Sequence, residues 1–226
     1  MKQALLDELL AAQAKRRAVA LVTELATGEQ RLVPREKAAD DSLAAVLDQG
    51  FRFDQSGVQR VEEREYFVQI HNPALRLIII GAVHIAQAVI PIARGTGYAV
   101  TVIDPRGAFA TGARFPDIDL HPEWPDEILP RIGLDARTAM IALTHDPKID
   151  DPALTAALRS DVFYIGALGS KKTQASRRER LSSHGVSPAD LARIHGPIGI
   201  DIGAKGAPEI AISIMAEMTR VLRLGE

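Results

Sequence analysis

From residue 75 onward the apolar positions alternate between short continuous runs and stripes at helical spacing. Leu77-Ile78-Ile79-Ile80 is an unbroken apolar run of strand length, as expected of a strand covered on both faces. Ala86, Val89 and Ile90 then recur at helical spacing, and a second apolar run leads from Tyr98 to Ile103. Continued in this way, the pattern predicts strands at 76–80, 98–103, 138–143 and 161–166. It predicts helices at 83–94, 125–133, 152–159, 171–183, 188–194 and 207–223. Strands alternating with helices imply a parallel sheet with helices on both faces. Pro91 falls inside the first of these helices and is expected to kink it or end it early. The last helix opens with Pro208 and Glu209 in its first turn and carries the stripe Ile210, Ile214, Met218, Val221.

The first third of the chain reads differently. A helix is expected over 1–15, with Leu5, Leu6, Leu9 and Leu10 on one face. The β-rich stretch Arg17 to Leu25 is followed by a Thr27-Gly28 turn, and Arg31-Leu32-Val33 returns as a hairpin partner. Asp41-Ser42 can cap a helix running to Gln49 and closed by Gly50, and one or two strands follow between Val58 and Ile70. His71-Asn72-Pro73 breaks the pattern. The expected layout is a small α+β domain at 1–72 and a Rossmann-like α/β domain at 73–226.

Between the first two strands of the second region lies Gly81-Ala82-Val83-His84-Ile85, and the second strand ends in Asp104, roughly 20 residues on. Strand, Gly turn, helix, strand, acid is the layout of a dinucleotide-binding βαβ unit. The first Gly allows the tight turn, the free N–H groups of the helix start can face a phosphate, and the acid can hold a ribose hydroxyl. The fingerprint, however, is G-x-G-x-x-G/A, and this chain reads Gly81-x-Val83-x-x-Ala86. A branched side chain replaces the Gly that lets a pyrophosphate approach the backbone.

Composition narrows the function classes. The chain has 226 residues, a net charge of −2, 46% hydrophobic residues and no Cys. The charge gives no electrostatic case for nucleic acid or an anionic membrane surface. No apolar run approaches the roughly 20 residues of a membrane span. Met1 to Arg17 is charged throughout and lacks a signal-peptide core, so a cytoplasmic protein is expected. Without Cys, no disulfide, thiolate metal site, Cys nucleophile or iron–sulfur cluster can be built from this chain.

Ligands of open parallel sheets bind beyond the carboxyl ends of the strands. The four predicted strands end in Gly81 and His84; in Asp104-Pro105-Arg106; in Thr144-His145-Asp146-Pro147; and in Gly166-Ala167-Leu168-Gly169-Ser170-Lys171-Lys172. Each alone could be ordinary loop chemistry; four in register predict a shared cleft. Ser170 reads as an N-cap, followed by Lys171 and Lys172 against the helix dipole, a conflict that a bound anion would remove. The alternative is that both Lys are simply solvated. Arg177 and Arg178 are expected on a solvated face. His84 and His145 are read as ligand contacts without a nucleophile to activate, and a metal site from His84, His145, Asp146 and Asp201 has no supporting spacing. Gly203-Ala204-Lys205-Gly206 is not a Walker A loop, though Lys205 could reach a phosphate. Trp124 with Pro122 and Pro125 reads as a packed loop.

Several stretches, in order, resemble one family. They are Ile80-Gly81-Ala82-Val83-His84-Ile85-Ala86-Gln87, Val100-Thr101-Val102-Ile103-Asp104-Pro105-Arg106, and Phe109-Ala110-Thr111-Gly112-Ala113-Arg114-Phe115-Pro116. Leu143-Thr144-His145-Asp146-Pro147, Tyr164-Ile165-Gly166-Ala167-Leu168-Gly169-Ser170 and Pro197-Ile198-Gly199-Ile200-Asp201-Ile202-Gly203-Ala204 continue the series. Together they resemble the XdhC/CoxI family, accessory factors for xanthine dehydrogenase, carbon-monoxide dehydrogenase and related molybdenum hydroxylases. The first third matches poorly; it looks like a shortened first domain without the family's Gly/Pro-rich loop. Val83 stands where the family often has Gly, and the lack of Cys leaves no thiolate to ligate molybdenum.

The resemblance implies a chaperone that binds the molybdenum cofactor, as molybdopterin or its dinucleotide form, and delivers it to an apo-hydroxylase. The expected contacts are Gly81, His84, Asp104, Arg106, Thr144, His145, Asp146, Gly169, Ser170 and Lys171, with no catalytic residue and no protein-held metal. A homodimer is left open. The alternative is an NAD(P)-dependent oxidoreductase using the same cleft, against which Val83 and the absence of an acid/base pair for hydride transfer both count.

Overall fold

The computed structural model describes residues 2–225. The chain divides into two compact units between Pro73 and Ala74. In the first, α1 (Gln3–Ala14) precedes β1 (Val19–Glu24) and β2 (Gln30–Pro34), then a 3-10 segment (Arg35–Asp40), α2 (Ala44–Phe53), β3 (Gly57–Val61) and β4 (Arg64–His71). The four strands form an antiparallel sheet in the order β2-β1-β4-β3. Ala20, Val22, Val33 and Val68 of the sheet pack against Leu47 and Phe51 of α2.

One helix in this unit departs from expectation. Asp41 does not cap α2; its carboxylate accepts from the Leu43 amide and from Arg31 of β2. Nor does Gly50 end the helix. It lies inside α2, where a Cβ would come 2.8 Å from the Ile70 side chain. Gly is there for close approach of helix to sheet, and the helix stops at Asp54, which takes the left-handed conformation.

The second unit contains β5 (Arg76–Ile80), α3 (His84–Gly95), β6 (Ala99–Ile103), β7 (Asp119–His121), α4 (Pro125–Ile132) and β8 (Thr138–Ala142). It continues through α5 (Pro147–Leu158), β9 (Tyr164–Ala167), α6 (Lys171–Ser183), α7 (Pro188–Leu191), β10 (Ile194–His195) and α8 (Ala207–Leu224). All its strands are parallel, in the order β10-β9-β8-β5-β6-β7. This is the Rossmann-like sheet with helices on both faces that the alternation implies. The apolar run of β5 explains the two faces. Leu77 and Ile79 join α3 and α8 in one core, while Ile78 and Ile80 join α4, α5 and Leu181 of α6 in the other.

The differences from the sequence reading are local. β7 and β10 are too short to show a periodic signal, and residues 188–194 are a one-turn helix followed by β10. α5 begins five residues before the expected 152, because Asp146 caps it and Pro147 occupies its first turn. Pro91 neither ends nor shortens α3, which runs on to Gly95. Its ring is on the exposed side, while Ala86, Val89, Ile90 and Ala93 hold the buried side in the core, so packing outweighs the lost hydrogen bond. Trp124 is not packed: it is 43% exposed at the N-cap of α4, and only Pro125 of that trio is buried.

Candidate functional site

After β5 the chain passes to β6 and β7 on one side, then crosses back to β8 on the other. The carboxyl ends of β5 and β8 therefore flank the switch point, where such sheets open a crevice. Gly81 leaves β5 with φ +112, and a Cβ on it would lie 2.7 Å from the Thr144 side chain and 3.3 Å from the Thr144 amide nitrogen. Only Gly lets the two strand-end loops come this close.

The first turn of α3 is open. Val83, its N-cap, supplies no side-chain cap, and no acid lies in the first turn. His84 is exposed at the helix start. The N-terminal amides of α3 thus keep donors for an anion at the switch point. Val83 itself has φ −99, a conformation any residue adopts, and its side chain packs in part against the core. It therefore stands less in the path of a phosphate than its place in the fingerprint suggests.

Asp104 at the end of β6 has no exposed atom. One carboxylate oxygen accepts from the Ala82 amide at 2.8 Å and from Arg106 Nη2 at 2.8 Å; the other accepts from the Arg106 amide at 3.0 Å and Arg106 Nε at 2.9 Å. Burial pushes this carboxyl up, but the Arg106 guanidinium and the Ala82 and Arg106 amides outweigh it and hold it below the ordinary value. This corrects the expectation of a ribose-binding acid. Both oxygens are committed inward, and Asp104 instead fixes the Gly81 turn and holds the Arg106 guanidinium through Nε and Nη2.

At the end of β8, His145 takes a left-handed conformation, φ 64, with its ring exposed. No hydrogen bond among the described residues engages a ring nitrogen of His84 or His145. Asp146 receives the Lys148 amide as the cap of α5, and its own amide donates to Thr144 Oγ1. Beneath this loop is a buried charge pair that the sequence reading missed. Asp150, 1% exposed, accepts from the Thr144 hydroxyl at 2.6 Å and the His145 amide at 3.1 Å, and meets Arg177 at 3.3 Å. Arg177, 2% exposed, donates to the Leu168 carbonyl and to Gln174 Oε1. The expected solvated Arg177 is thus the strut that ties the β8 loop to the β9 loop. A signal existed. Within α6 only Ala175 and Leu181 are apolar, so some polar side chains had to face the sheet. The buried set Gln174, Arg177, Leu181 follows helical spacing.

Past β9, Gly169 has φ +131, and its missing Cβ makes room for Thr173. The Ser170 hydroxyl caps α6 through the Thr173 amide. Lys171 and Lys172 are both exposed, with no ion-pair partner among the described residues. The start of α8 is different. Glu209 accepts from the Lys205 and Gly206 amides, so that helix end already carries a carboxylate. An anion meets open backbone donors at α3 and unpaired cations at α6, but an acid at α8. Among the described residues no three His, Asp or Glu gather into a metal-binding group, and no helix is long and apolar enough to cross a membrane.

The model of the XdhC Rossmann domain matches residues 77–218. A Bacillus subtilis protein described as a probable xanthine dehydrogenase subunit is 33% identical over 153 residues, 67% of this chain and 44% of that protein. The molybdenum cofactor insertion chaperone PaoD of Escherichia coli is 33% identical over 150 residues, 66% of this chain and 41% of that protein. The chain thus spans less than half the length of these curated relatives. A crystal structure from Bacillus halodurans, named a xanthine dehydrogenase, superposes with a TM-score of 0.67 at 25% identity, over 99% of this chain and 64% of that one. With the family match covering well over half of its length and running through all six strands of the parallel sheet, the chain belongs to the XdhC family.

Proposed function

We propose that this protein binds the molybdenum cofactor, as molybdopterin or its dinucleotide form, in the crevice between β5 and β8 and delivers it to an apo-hydroxylase. The observation that carries the reading is the pairing of an uncapped α3 start with Lys171 and Lys172 at the same edge of the sheet. A phosphorylated ligand supplies the negative charge that both lack. A family relative named as a molybdenum cofactor insertion chaperone supports the choice of cargo. In this reading Gly81, Thr144 and Gly169 lie under the ligand, the exposed His145 and half-exposed Arg106 contact it, and the buried Asp104 and Asp150 hold the loops. His84 and His145 have no hydroxyl partner to activate, so the role drawn for them is contact with the cargo.

The test is to isolate the chain from a host that makes the cofactor and to identify the bound molecule by mass spectrometry. Replacing Lys171 and Lys172 together by Ala is expected to lower affinity by about 1–3 kcal/mol, a factor of roughly 5 to 150, in calorimetric titration. Unchanged affinity would move the phosphate elsewhere. Binding of NADH at micromolar affinity, with no pterin recovered, would favour the oxidoreductase reading instead.

A further inference from the structure

We propose that Phe109 and Arg106 form a stacking platform for a planar nitrogen heteroaromatic ring, carried by the same ligand whose phosphate meets the start of α3. The proposal rests on the cofactor-binding reading above and adds which residues hold the ring. Phe109 belongs to the long β6–β7 connection and is 42% exposed, although it is a large aromatic side chain set among polar groups. The Arg106 guanidinium lies 4.6 Å from its ring centre, and Arg114 lies at 5.8 Å. Asp104 grips Arg106 through Nε and Nη2, which fixes the plane of the guanidinium. A guanidinium fixed over the ring of a half-exposed aromatic makes a short π stack, onto whose outer face a base or similar heterocycle can stack.

The platform is attached to the phosphate turn. Arg114 Nη1 donates to the carbonyl of Ala82 at 3.0 Å and to that of Phe109 at 2.9 Å. Gln87 in α3 donates to the Arg114 carbonyl and completes the tie. One arginine thus sets Phe109 beside the turn that opens α3, within the length of a small phosphorylated heterocycle. The ring could be the pterin itself or the base of a dinucleotide form; both present the same flat, nitrogen-rich face.

Titration of the full chain with three probes tests this: a pterin phosphate ester followed by fluorescence quenching, CMP and GMP by calorimetry, and ribose 5-phosphate, which carries no aromatic ring. Phe109→Ala and Phe109→Leu are expected to weaken binding of the aromatic probes roughly 5- to 100-fold, and Phe109→Trp to restore it to within about threefold. Ribose 5-phosphate should bind all variants alike. Tighter binding of the pterin probe assigns the platform to the pterin, and tighter binding of CMP or GMP assigns it to the nucleotide end. Aromatic probes that bind Phe109→Ala as well as wild type, or an equal loss for ribose 5-phosphate, would overturn the platform. If the Lys171, Lys172 double variant still weakens all probes in that case, the cofactor reading stands without it. If none of the probes binds the wild-type chain, both fall.

Discussion

Arg177→Met is expected to lower the unfolding free energy by about 3–5 kcal/mol at neutral pH, the scale for leaving one member of a buried charge pair alone. The methionine fills most of the volume, so the loss comes from the charge. Asp150 keeps the Thr144 hydroxyl and the His145 amide but loses its cation, and the Leu168 carbonyl loses its donors. Burial already pushes the Asp150 carboxyl up, with Thr144 and Arg177 opposing. Without the guanidinium, the folded state favours protonated Asp150 more strongly. A carboxyl whose folded pKa lies above its unfolded value costs stability as pH rises. The deficit of Arg177→Met should therefore be smaller near pH 5 than at pH 8. Urea unfolding followed by circular dichroism at both values measures this. A deficit under about 1 kcal/mol, or one independent of pH, would show that the pair is not the strut described.

Asp104→Asn is the second large effect, expected at about 2–3 kcal/mol at pH 7, the scale of charge-assisted hydrogen bonds lost to Arg106. Its pH dependence runs the other way. Asp104 titrates below its unfolded value, so its contribution is fully present above about pH 4 and is lost as pH falls through the folded pKa. Wild type and Asp104→Asn should differ most at neutral pH and converge in acid. Glu217 is also held below the ordinary range; burial pushes it up, but the hydrogen bonds from His195, Tyr164 and the Gly199 amide prevail. It adds acid lability of the same sign to both proteins and leaves their difference unchanged. Thermal melts between pH 3 and pH 7 give the comparison. Because Asp104 also holds the Ala82 amide and Arg106, the same variant should lose affinity for the aromatic probes more than for ribose 5-phosphate.

The sequence by itself determined the second unit's architecture. Its strands are continuous apolar runs and its helices apolar stripes, and both signals arise from neighbours along the chain, as in Leu77 to Ile80 and in Ala86, Val89 and Ile90. The glycine turn at Gly81 and the Ser170 cap were legible for the same reason: each is a local demand on backbone or hydrogen bonding. The tertiary structure alone decided what the polar residues do. Asp104 has the position of a ribose-binding acid, yet it is turned inward because Arg106 and the Ala82 amide close over it. Arg177 has the charge of a surface residue, yet it is buried because α6 has almost nothing apolar to give the sheet and Asp150 waits beneath. Phe109 lies in a connection without periodicity, and only the carbonyls shared through Arg114 place it beside the turn of α3. Periodicity reports burial of whole faces; a charge or a lone ring changes role with a single partner brought from far along the chain, and that partner has no signature in the local pattern.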